Sequence, residues 1–188
     1  MAEIVSTNQF RNGMHIEHRG AVWRIVEFQH VKPGKGGAFV RTKLRNLRSG
    51  NVFDRTFRAD EKVPLAVIDK REMQFLYRDA DDYVFMDTES YEQQHVAPTA
   101  LGDAADYLVE QAIAVIAFYN GEIVTVEIPA AVELTISDTD PGVQGDRVSG
   151  ARKPATLQTG KVVQVPLFIN PGDRVRVDTR SGEYITRV

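Results

Sequence analysis

From Ala38 to Leu47 the chain alternates between apolar or small side chains and cations, with Val40, Thr42 and Leu44 on one set of positions and Arg41, Lys43 and Arg45 on the other. In an extended strand, successive side chains point to opposite faces, so this segment buries one face and lines the other with three positive charges. A helix would scatter the same residues around its axis. Val22 to Phe28 precedes it as a β-branched and aromatic run, and Val52 to Arg58 follows after the turn Ser49-Gly50-Asn51. Short strands at this spacing, with no long helix between them, predict a small β-barrel.

The pattern continues along the 188 residues. Val63-Pro64-Leu65 marks a first boundary. Asp69 to Tyr77 and Tyr83 to Asp87 read as strands, and Pro98-Thr99 opens a helix predicted over Ala100 to Glu110, with Leu101, Ala104, Ala105, Leu108 and Val109 as its apolar stripe. Ile113 to Tyr119 and Glu122 to Ile128 flank Asn120-Gly121, the preferred two-residue hairpin turn. Pro129 marks a second boundary. Val132 to Ser137, Val162 to Ile169, Arg174 to Asp178 and Glu183 to Val188 are further strands around a loop-rich stretch from Asp138 to Pro154. The reading is all-β, with three consecutive barrels over residues 1–64, 65–129 and 130–188. The last two have the strand character of OB domains.

The net charge of −3 conceals an asymmetry. Residues 1–64 hold 12 Lys/Arg against 6 Asp/Glu, residues 65–129 hold 3 against 13, and residues 130–188 hold 8 against 7. The first block is a candidate nucleic-acid face, and its cations suit phosphate contacts, which position a partner without reading its sequence. No apolar run approaches the ~20 residues of a membrane span, and the N-terminus predicts no signal peptide. The chain contains no cysteine, which excludes disulfides, thiolate metal sites and cysteine nucleophiles, and fits a reducing cytoplasm.

Lys35 stands in Lys32-Pro33-Gly34-Lys35-Gly36-Gly37, between two predicted strands. That places one long cation on a bare glycine turn, able to reach into a narrow polar site. Amine catalysis by lysine takes burial or a neighbouring cation, and a glycine tip offers neither. The phosphate-binding loop of nucleotide hydrolases is excluded, because Lys35 precedes two glycines and a strand rather than Ser/Thr and a helix. His15 and His18 lack a third metal ligand nearby, Asp79, Asp81 and Asp82 lack the calcium-loop spacing, and no nucleophile–base arrangement stands out. The sequence predicts no enzyme, no metal and no cofactor. Tyr184 and Arg187 in the terminal strand read either as an edge strand with an inward aromatic or as an RNA contact.

Taken together, these segments resemble the bacterial elongation factor P family. The resemblance is carried by Gln29 to Leu47, by Asp138-Thr139-Asp140-Pro141-Gly142-Val143-Gln144-Gly145-Asp146, by Lys153 to Gly160, by Val165 to Ile169 and by Val177 to Tyr184. It implies an SH3-like KOW domain followed by two OB domains in an extended outline like that of a transfer RNA. It also implies a monomeric cytoplasmic factor that binds the 70S ribosome between the peptidyl and exit sites and stimulates peptide-bond formation at polyproline stalls. In the family, the residue at the Lys35 position points to the CCA end of peptidyl-tRNA and is in many members extended by a modifying enzyme. Lys32, Pro33, Gly34, Gly36 and Gly37 shape that tip. The resemblance places Gly145 and Asp146 near the exit-site codon, and Tyr184 and Arg187 near the small subunit and tRNA. Gly37 departs from the proline of members with an unmodified lysine, which favours modification here. The alternative is a paralogue that binds ribosome and tRNA without polyproline rescue.

Overall fold

The computed structural model describes residues 3–142 and 150–188. Its first strands are β1 (Ile4–Ser6), β2 (His15–His18), β3 (Ala21–Val31), β4 (Phe39–Asn46), β5 (Val52–Arg58) and β6 (Lys62–Pro64). β2 to β5 form an antiparallel sheet in sequence order, and β1 pairs with β6. The predicted alternation holds in β4, where Val40, Thr42 and Leu44 are buried and Arg41 and Arg45 are exposed. Ile16, Ile25, Val40 and Leu44 close the core with Val5, Phe10, Phe57 and Val63. Phe10 and Phe57 meet edge to face at 5.5 Å, a favoured aromatic geometry. A short 3-10 turn, Thr7–Gln9, is fixed by a reciprocal capping box between Ser6 and Gln9.

The middle of the chain contributes β7 (Asp69–Asp79), β8 (Asp82–Asp87), β9 (Gln93–Val96), β10 (Ile113–Tyr119) and β11 (Glu122–Glu127), in the sheet order β11-β10-β7-β8-β9. Asn120 and Gly121 both take positive φ, 52° and 81°, as a tight primed turn requires. The helix predicted over Ala100 to Glu110 is corrected. A single α-helical turn, α1 (Pro98–Leu101), stops at Gly102, whose φ of 52° and ψ of −134° lie outside the helical region. A 3-10 segment, Gly102–Tyr107, follows. Of the expected apolar stripe, Leu101 and Leu108 are buried and Ala104, Ala105 and Val109 are half-buried, while Tyr107, outside that stripe, is buried as well.

The last strands are β12 (Ala131–Thr139), β13 (Arg152–Leu157), β14 (Val162–Pro166), β15 (Arg174–Asp178) and β16 (Tyr184–Arg187), ordered β14-β13-β12-β15-β16. Leu134, Ile136, Ala155, Leu157, Val163, Val165, Ile169, Val175 and Val177 form their core, and Tyr107 enters it. β12 carries a register shift between Ile136 and Asp138, where the Ser137 hydroxyl donates to the Thr156 carbonyl at 3.0 Å.

The fold is all-β, built of curled sheets. Packing divides the chain into two compact units, residues 1–71 with 116–125 and residues 72–115 with 126–188. Among the described residues no helix is long and apolar enough to cross a membrane.

Candidate nucleic-acid interface

The hairpin of β3 and β4 holds the candidate tip. The two strands pair from Trp23 opposite Asn46 out to Val31 opposite Phe39, and residues 32–38 bridge them. Lys32, Pro33, Gly34, Lys35, Gly36 and Gly37 are all exposed. Gly36 has φ of 110°, a conformation that a β-carbon resists, so the turn depends on glycine there. Added β-carbons at Gly34 and Gly37 would touch nothing within 4 Å. Lys35 therefore leaves the molecule on a stem that no side chain covers, anchored by a ladder whose inner face is packed core.

Behind the tip, the three predicted cations of β4 share one sheet face but differ in surroundings. Lys43 stands opposite Glu27 of β3 and Asp54 of β5, and its Nζ is 3.3 Å from Glu27 Oε2. This is an exposed ion pair, weak enough for Lys43 to exchange it for another anion. Arg41 lies 5.7 Å from the centroid of the Phe39 ring, and nearer the base of the hairpin Arg45 stands opposite Arg24. Arg24 is part of the predicted first strand, but its partnership with Arg45 depends on register, which the sequence does not display.

His18, for which the sequence predicts no metal, is half-buried on β2. Arg55 Nη1 is 2.9 Å from His18 Nε2. Arginine can only donate, so that ring nitrogen accepts and the imidazole is neutral. The same guanidinium lies 4.8 Å over Phe57, and His18 packs beside Phe53 and Phe57. Burial first, then the charges of Arg55 and Arg19, holds the His18 pKa below its ordinary 6.5. The unfolded chain therefore binds this proton more readily than the folded one, and stability drains away as pH falls below about 6.5. Urea unfolding of wild type and His18→Asn is expected to show a wild-type advantage at pH 7.5 that shrinks by pH 5.5.

Tyr119 Oη donates to Glu17 Oε2 at 2.8 Å, and Arg48 Nη2 is 3.6 Å from Glu122 Oε2. These contacts tie the β10–β11 turn to β2 and the β4–β5 turn. The hydrogen bond to Glu17 is the main reason that the Tyr119 pKa is raised above 10.0. Tyr119→Phe is expected to cost about 1 kcal/mol in urea unfolding, and a double-mutant cycle with Glu17→Gln isolates the pair.

At the other end of the chain, Tyr184 is half-buried and packs on the core beneath β15, the inward arrangement that the sequence left open. Arg187 lies 5.6 Å from the centroid of Phe168, an aromatic that is 58% exposed. Phe168 was missed as a candidate because its neighbours Val165, Leu167 and Ile169 make it look like one more core position. The buried Lys153 donates to the Asp140 carbonyl at 2.5 Å. Gly145 and Asp146 lie outside the described residues. Among the described residues no group of three His, Asp or Glu side chains is placed to hold a metal ion.

This molecule presents a basic, exposed hairpin on a KOW-like and OB-type β-scaffold, the architecture of a translation factor. Residues 6–63 match the elongation factor P KOW-like domain, residues 68–126 its OB domain and residues 132–187 the elongation factor P C-terminal domain. The chain is 57% identical over 184 residues to elongation factor P of Acidothermus cellulolyticus, covering 98% of both chains. It is 55% identical over 186 residues to that of Streptomyces coelicolor, covering 98% of this chain and 99% of the relative. It belongs to the elongation factor P family and is a translation elongation factor. The fold is shared with solved structures of eukaryotic translation initiation factor 5A from Methanococcus jannaschii (TM-score 0.55, 23% identity, 66% of this chain and 94% of that one). It is shared also with a translation initiation factor eif-5a family protein from Naegleria fowleri (TM-score 0.52, 13% identity, 68% of this chain and 99% of that one).

Proposed function

We propose that this protein binds the 70S ribosome between the peptidyl and exit sites and stimulates peptide-bond formation at consecutive prolines by holding the end of peptidyl-tRNA. The observation that carries this reading is the exposed Lys35 at the tip of a basic hairpin, in a chain that matches elongation factor P along its length. The three domains span residues 1–64, 65–129 and 130–188. Arg41, Lys43 and Arg45 face the phosphates of the tRNA acceptor arm. Lys35 reaches the CCA end, bare or lengthened by a modifying enzyme. Gly145 and Asp146 approach the exit-site codon, and Tyr184 and Arg187 approach RNA near the small subunit.

The chemistry of such a factor is positional. Proline is a constrained participant, and its tRNA is poorly placed for attack. Fixing the tRNA end in a near-attack arrangement removes part of the entropic barrier while the ribosome makes the bond. No proton needs to pass through this chain. The test is synthesis of a polyproline-containing peptide in a reconstituted system lacking endogenous elongation factor P. Added protein is expected to restore full-length product, and a proline-free template is expected to be indifferent to it. Ribosome binding without any gain on the polyproline template would favour the paralogue reading instead.

A further inference from the structure

Phe168 follows β14 in a turn where Ile169 is fully buried, yet Phe168 itself is 58% exposed. The turn is held on several sides. Ile169 N donates to the Pro166 carbonyl at 3.2 Å, and the Asn170 side-chain amide donates to the Phe168 carbonyl at 3.2 Å. Asn170 N donates in turn to Asp173 Oδ2 at 2.8 Å. Gly142 comes so close to the Leu167 carbonyl that a β-carbon there has no room. The inward place is thus taken by Ile169, and a fixed backbone sets the Phe168 ring outward. Beside that ring lies the Arg187 guanidinium of β16, 5.6 Å from its centroid, within the range of a favourable cation–π contact. Arg174 has Glu133 at 3.1 Å and Arg180 has Asp178 at 3.3 Å, whereas Arg187 has no carboxylate partner among the described residues. An exposed aromatic ring and an unpaired guanidinium therefore stand side by side.

We propose that Phe168 is a stacking platform for one unpaired base of RNA. Every base has a π-face, so such a contact adds affinity without reading sequence. A nucleotide brings in one unit the flat ring that suits Phe168 and the negative charge that suits Arg187; an apolar protein segment brings only an apolar surface. The charge of this part of the chain gives stacking its use. Residues 130–188 hold 8 Lys/Arg against 7 Asp/Glu, so they lack the cationic excess with which the first block attracts phosphates. An aromatic face holds RNA without net charge, and salt does not screen it away. Because the turn already presents the ring, little ordering cost is left to binding. This inference rests on the reading above in which Arg187 approaches RNA, and it adds to that reading a residue that grips a base.

The test measures binding of the intact protein to 70S ribosomes carrying peptidyl-tRNA over a salt series, for wild type, Phe168→Leu and Phe168→Tyr. Leucine keeps the apolar bulk and removes the π-face, so Phe168→Leu is expected to weaken binding about ten-fold. Its dependence of log K on log salt is expected to keep the wild-type slope, since no charge is removed. Phe168→Tyr retains the ring and is expected to bind within about two-fold of wild type. Both variants are expected to melt with wild type, because the site is exposed. A chain carrying photo-reactive 4-azidophenylalanine in place of Phe168 is expected to label RNA when irradiated on the ribosome. A leucine variant that binds like wild type would overturn the platform and leave the ribosome-binding reading standing. Equal losses in the leucine and tyrosine variants, or a leucine variant that melts well below wild type, would do the same. Label found in ribosomal protein alone, or in nothing, would also overturn it. If wild type itself fails to bind, the underlying reading falls and the platform with it.

Discussion

Lys35→Ala is expected to melt with wild type and to lose rescue of polyproline synthesis. Both halves of this expectation come from the geometry of the tip. Lys35 is exposed, its neighbours from Lys32 to Gly37 are exposed, and the glycines beside it leave open space. Surface substitutions in such a setting usually change stability by less than about 0.5 kcal/mol. The functional loss should be large because, on the proposed reading, the only contribution at the tRNA end is the placement of this one cation. A reconstituted translation assay on a polyproline template, with the circular dichroism melt of the same sample, reads both. Wild-type product yield from the alanine variant would refute the role assigned to Lys35.

Phe57→Ala is expected to do the opposite, losing function through the scaffold while the tip chemistry remains in place. Phe57 is 1% exposed, packs edge to face on Phe10, and supports the Arg55 guanidinium that holds His18. Opposite Val40 it also closes the inner face of the strand that leads back from the tip. Truncating a buried phenylalanine removes its transfer energy and leaves a cavity, a loss of about 3–5 kcal/mol. That is a large share of the stability of a small domain. Urea unfolding is expected to show a lower midpoint, and polyproline rescue is expected to fall as temperature rises, while Lys35→Ala stays inactive at every temperature. Phe57→Leu, which keeps most of the volume, is expected to recover much of the loss.

Much of this fold was legible because strands that are buried on one face carry a period of two. Val52–Arg58, Ile113–Tyr119 and Arg174–Asp178 have in the structure the limits that their alternation and flanking turns indicate. The strands that were not foreseen have weaker signals. β1, β6 and β9 are three or four residues long, too short to display a period. β13 was hidden by Pro154, since proline argues against an inner strand. The structure resolves this: the β12 ladder ends at Thr139 opposite Ala155, so Pro154 lies past the last β12 pair, where no missing N–H is felt. The helix over Ala100 to Glu110 failed because an apolar stripe reports burial, whereas the backbone at Gly102 decides whether the helix can continue.

The candidate site divides along similar lines. Lys35 was visible because glycine and proline mark a turn locally. The Arg24–Arg45 opposition, the neutral His18 under Arg55 and the Phe168–Arg187 pair all join residues remote in sequence or set by register. Composition supplied the basic first block, but only strand pairing showed that Lys43 meets Glu27 and that Arg45 stands opposite Arg24, with no acidic partner among the described residues.

The empty space around the tip has a consequence for how a cell could keep track of its own supply of this factor. A group added to Lys35 would start from an exposed turn outside the packed core, so the lengthened and bare forms are expected to share one stability and one folded core. Chaperones and proteases, which respond to unfolding, would have no means of sorting one from the other. Discrimination would fall to whatever grips the hairpin end itself, and unfinished copies would persist beside finished ones as full competitors for the same docking place.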